Sequence, residues 1–112
     1  MITNFEEYTE NFSKELLDHV EIIIENVKNK VGKKKAITSA TLRSILYDRG
    51  YGITEPNFRR CVQYIRATKS IQWLCASQRG YYVAENEEQW IQYRVAFRSR
   101  ITSMQFTLAC ME

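Results

Sequence analysis

Apolar residues Phe5, Tyr8, Phe12, Leu16, Val20, Ile23, Ile24, Val27 and Val31 recur at intervals of three and four, the period of a helix. The spacing predicts one long amphipathic helix over 5–31, with Glu6, Glu7, Glu10, Glu15, Glu21 and Glu25 on its opposite face and Gly32 as its stop. Ala36, Ile37 and Thr38 suit a very short strand, after which Thr38 or Ser39 caps a second helix carrying Leu42, Ile45 and Leu46. That helix should end near 48–52, where Gly50 and Gly52 supply positive-φ positions for a turn. Thr54, Glu55 and Pro56 signal a third helix to about Lys69: a capping oxygen, an acid at the positive helix end, and a proline where no backbone donor is needed. The pattern then switches to two β-favouring runs, 71–76 and 81–84, joined by the polar tip Ser77-Gln78-Arg79-Gly80, which predicts a hairpin. Asn86, with Glu87 and Glu88 behind it, opens a last helix through Trp90, Tyr93, Phe97, Ile101, Met104 and Leu108.

The expected fold class is mostly α with a small β-hairpin (α+β). The order of helix, short helix, glycine turn, capped helix and hairpin is the ground plan of a winged helix-turn-helix, here flanked by long N- and C-terminal helices. It divides one domain of 112 residues into 1–32, a core of 33–84, and 85–112. At 100° per residue, Phe58, Cys61, Val62 and Ile65 share one stripe of the third helix, about 55–69. Asn57, Arg60, Gln63, Tyr64 and, at the edge, Arg59 point away from it. Such side chains suit a major groove, because Arg forks onto guanine, Asn and Gln pair with the adenine edge, and Tyr reaches phosphate or a thymine methyl.

Charge sharpens this expectation. Residues 33 to 83 hold ten Lys/Arg against two Asp/Glu, a local +8, whereas 1–32 carry −4 and 84–112 carry −1. A concentrated basic block is the footprint of a surface that neutralises phosphates. Lys33, Lys34, Lys35, Thr54, Gln78 and Arg79 are the candidate contacts to the DNA backbone, with the hairpin over 71–84 as the wing. Apolar content of 45% argues for a folded chain. The acidic start and the lack of a long apolar run point to a soluble, unexported, cytoplasmic protein with no membrane role. Cys61, Cys75 and Cys110 are odd in number and lack Cys-x-x-Cys spacing, and His19 is isolated from them. That pattern implies reduced thiols and no metal site. Cys61 and Cys75 are expected as small buried hydrophobes. Adjacent helical residues diverge, so Asp18 and His19 make no acid–base pair. With no phosphate loop or triad in evidence, no catalytic residue, cofactor or small-molecule substrate is expected.

The stretch Phe58-Arg59-Arg60-Cys61-Val62-Gln63-Tyr64-Ile65-Arg66, then Leu74-Cys75-Ala76 and Gly80-Tyr81-Tyr82-Val83-Ala84 before an acidic helix start, resembles a family of small bacteriophage and prophage winged helix-turn-helix proteins. The likeness covers about 33–104, and Gly80-Tyr81-Tyr82-Val83-Ala84 after Cys75 is its most specific part. Two departures stand out: Thr68-Lys69-Ser70 replaces the glycine usual between third helix and hairpin, and the turn over 48–52 is longer. The resemblance implies DNA binding in phage replication or gene control, in the cytoplasm of a bacterial host.

The last helix carries more apolar surface than a small core covers. Trp90, Phe97, Ile101, Met104 and Leu108 form a seam, and Ile91, Val95 and Phe106 lie off it. A homodimer through the terminal helices is expected, in keeping with proteins that read two half-sites, although the two helices packing on each other in a monomer would also use this surface. Two functions follow from different classes. The first is sequence-preferring binding of double-stranded DNA. The second is a winged-helix interaction module acting on a replication or transcription protein, since fold does not dictate use.

Overall fold

The structure, a computed structural model, is described for residues 14–112. Phe5, Tyr8, Phe12, Glu6, Glu7 and Glu10 of the expected first helix lie outside the described residues. Within them, helix α1 spans Lys14–Val27 and buries Leu16, Val20, Ile23 and Val27. It stops four residues short of the expected Val31. The reason is competition for backbone groups: Gly32 N–H donates to Val83 O (2.8 Å) and Val83 N–H donates to Lys30 O (2.8 Å), which draws Val31 into a parallel bridge with Val83. Gly32 therefore serves this pairing at φ 93° and is not a helix stop.

Lys33–Lys35 form a single tight 3-10 turn. The short strand expected over 36–38 is reduced to one residue. Ile37 exchanges two hydrogen bonds with Tyr81, at 2.9 and 2.8 Å, so the link between the first two helices is stitched to the hairpin. Gly80 lets this happen: it sits at φ 116°, and a Cβ there would collide with the backbone carbonyl of Ile37.

Helix α2, Ser39–Asp48, is capped by Thr38, whose Oγ1 accepts from Thr41 N–H at 3.1 Å, and it buries Leu42 and Leu46. Helix α3, Glu55–Thr68, is capped by Thr54 and carries Pro56 in its first turn, as its sequence predicts. Lys69 ends it in the left-handed conformation at φ 56°, occupying the place a glycine usually takes. Strands β1, Leu74–Ser77, and β2, Gly80–Val83, pair antiparallel with Leu74 opposite Val83 and Ser77 opposite Gly80, which leaves Gln78 and Arg79 as the tip. Residues 71–73 stay outside the strand, and Trp73 takes φ 62°. Helix α4, Glu87–Met111, begins at Asn86, whose side chain accepts from Gln89 N–H at 2.9 Å.

The core is one cluster in which α1 packs on α2 and α3, with Phe58, Cys61, Val62 and Ile65 of α3 all buried. The whole is mostly helical with a small two-stranded antiparallel sheet. No described helix is long and apolar enough to cross a membrane. α4 buries none of its residues.

Candidate nucleic-acid interface

Burying one stripe of α3 fixes what the other presents. Arg59, Arg60 and Gln63 are exposed, whereas Asn57 and Tyr64 are half-buried. Tyr64 packs against the core cluster, so its ring belongs to the flank of the helix and not to its outward face. Arg59 donates to Glu55 at 3.0 Å, one turn back along α3. Thr54 is exposed but its hydroxyl is engaged, accepting from Asn57 N–H at 3.4 Å. Lys33, Lys34 and Lys35 are exposed on a turn that packs beside β2, and Gln78 and Arg79 are exposed at the hairpin tip.

The basic block of 33–83 does not form one uninterrupted face. Arg43 turns inward to donate to Ile53 O at 3.3 Å, and Arg49 crosses to Glu25 of α1 at 3.2 Å. Arg66 is half-buried and pins three elements: it belongs to α3, donates to Leu74 O of β1 at 2.8 Å, and reaches the Tyr93 hydroxyl of α4 at 3.5 Å. Lys33, Lys34, Lys35, Arg59, Arg60, Lys69 and Arg79 remain exposed, as does Arg49 beside Glu25.

Other cations join from a segment whose net charge is acidic. Arg100 of α4 lines a cavity of about 330 Å³ together with Arg59, Gln63, Arg66 and Tyr81. Arg94 lines one of about 470 Å³ with Arg66 and Lys69. Sequence reasoning missed these arginines because Glu85, Glu87, Glu88 and Glu112 mask them in a segment sum. For Arg94 the signal that could have found it is its spacing four residues before Arg98, which places both on one side of a helix.

Of the residues expected at a dimer seam, Phe97, Ile101, Met104 and Leu108 are all exposed on α4. Trp90 is half-buried and, like Phe97 and Ile101, lines a cavity against Arg66, while Met104 and Leu108 lie on the part of α4 beyond it. α1 cannot share in such a seam with Leu16, Val20, Ile23 or Val27, all of which are committed to the core.

The buried groups are chemically quiet. Burial pushes the Cys61 thiol up to about 11 from 9.0, with Arg60 pulling weakly the other way. Burial likewise raises Cys75 and, against the opposing pull of Arg66 and Arg59, Tyr81. A thiol held neutral in the folded chain contributes its full stability below about pH 9, and that contribution is lost as pH rises toward 11. At pH 8 an aromatic disulfide reagent should therefore modify one thiol quickly, the exposed Cys110, and Cys61 and Cys75 only as the chain opens. Rapid reaction of two or three thiols would contradict this packing.

Comparison with family models, with curated proteins and with solved structures returned no match.

Proposed function

We propose that this chain is a winged helix-turn-helix protein that binds double-stranded DNA with sequence preference, α3 lying in the major groove and the hairpin tip on the adjoining backbone. The observation that carries the reading is the division of α3: Phe58, Cys61, Val62 and Ile65 face the core while Arg60 and Gln63 face solvent. Supporting it, the bridge from Ile37 to Tyr81 ties the segment before α2 to the hairpin after α3, the arrangement a wing requires. Arg60, Gln63 and Asn57 are the base readers in this account. Lys33, Lys34, Lys35, Gln78 and Arg79 hold phosphates, with Thr54 at the start of α3.

Arg79→Ala tests the wing by fluorescence anisotropy across a salt series. It should weaken every duplex alike and reduce the slope of log affinity against log salt by about 1. A loss confined to one sequence would assign Arg79 to base reading instead.

A homodimer completes the reading, because paired half-sites need two copies of α3. Met104, Phe106 and Met111 of α4 are each more than 70% exposed, a density of apolar surface that a partner helix would cover. Light scattering behind size-exclusion should give twice the 13.3 kDa chain mass at micromolar concentration. A monomer there would remove the dimer from the account.

A further inference from the structure

Three cavities adjoin in one trench between α4 and the α3–β1 side of the body, and Arg66 lines all three. Both tryptophans of the chain, Trp73 and Trp90, line the same end of it, beside Lys69 and Arg94. Farther along come Tyr93 and Phe97, flanked by Arg98 and Arg100. Among the described residues, none that lines these three cavities is acidic. From Trp90 to Ile101 the trench follows α4 for on the order of 16 Å.

We infer that this trench binds single-stranded nucleic acid, its rings stacking on unpaired bases and its arginines tracking the backbone phosphates. Alternating cations and aromatic faces in a groove is what a strand with exposed bases needs, because every base has a face to stack and every linkage a charge to neutralise. The rings are already arranged for it. Trp90 and Tyr93 lie 5.9 Å apart and 15° from parallel, and the Arg100 guanidinium sits 4.9 Å from the Phe97 ring centroid. Trp73 adds an independent sign: its backbone is held at φ 62°, a conformation bulky residues seldom take, and strain of that kind gathers where a side chain is aimed for use.

Three alternatives fit less well. A duplex keeps its base faces covered by neighbouring pairs, so the rings would have nothing to stack on. A single nucleotide would use one cation site, whereas Lys69 with Arg94, Arg66 with Arg98, and Arg100 beyond them provide three in succession. A second copy of α4 laid symmetrically in the trench would bring its own Arg94, Arg98 and Arg100 against these. The site shares Gln63 with the outward face of α3 but does not depend on that face reading bases.

Tryptophan emission of the full chain during titration with oligo-dT tests the inference directly. A saturable quench is expected, with affinity falling with salt at a log–log slope of about −2 if three phosphates are neutralised. Trp90→Ala should weaken binding about tenfold. Arg94→Gln and Arg98→Gln, at exposed positions that leave folding unaffected, should weaken it several-fold, whereas Arg60→Ala should leave the quench unchanged. The inference is overturned if oligo-dT leaves emission unmoved, if thymidine monophosphate or a duplex of equal length quenches as well at the same concentration, or if both arginine variants bind as the parent does. It is equally overturned if Trp90→Ala dissociates a dimer while oligo-dT has no effect, since the trench would then be filled by a second copy.

Discussion

Gly80→Ala should lower folding stability by about 3 kcal/mol or more, measured by urea denaturation. Two costs combine. At φ 116° the residue occupies a conformation that side chains rarely adopt, and the added Cβ would run into the carbonyl carbon and oxygen of Ile37 and lie 2.7 Å from Thr38 N. These are backbone atoms held by the Ile37–Tyr81 hydrogen bonds, so they cannot swing aside as a side chain would. Gly50 separates the two costs, because it too has positive φ, at 84°, but a Cβ there meets nothing within 4 Å. Gly50→Ala should therefore cost only about 1 kcal/mol. Equal effects at the two glycines would mean that the segment before α2 is not packed on the hairpin, and the hairpin would lose its anchor.

The second large effect concerns recognition. The double variant Arg60→Ala/Gln63→Ala should bind a preferred duplex about 3 kcal/mol more weakly, roughly a hundredfold, at an estimated 1–3 kcal/mol for each base contact. Its affinity for random duplex should change little, since in the proposed function phosphate contacts elsewhere would supply that binding. Both residues are exposed on α3, so the melting temperature should stay near that of the parent. Competition anisotropy with preferred and scrambled duplexes reads the difference. An equal loss on both sequences would make these side chains phosphate contacts.

Local chemistry was the most legible part of the sequence. Thr38, Thr54 and Asn86 each cap the helix that follows, and each cap is closed within three residues, so the pattern needs no knowledge of the fold. The buried stripe of α3 was readable for the same reason: helical period alone selects Phe58, Cys61, Val62 and Ile65. What depended on distant partners was not. Val31 continues the period of α1, yet its backbone pairs with Val83, fifty-two positions later, and the helix ends first. Arg49 and Arg66 entered the basic block by sequence position, while their guanidinium groups are engaged by Glu25 and by Leu74 and Tyr93. The cations along α4 were hidden by the acidic sum of their segment, in which Glu85, Glu87, Glu88 and Glu112 outnumber Arg94, Arg98 and Arg100.

The proposed function requires the outward face of α3 to read duplex DNA, and selection from a random double-stranded pool tests it most directly. Repeated capture on the full chain should enrich one short motif, arranged as two related half-sites if the protein is a dimer, whose binding weakens steeply with salt. A pool that shows no enriched sequence, held no more tightly than heparin holds the same protein, would contradict it.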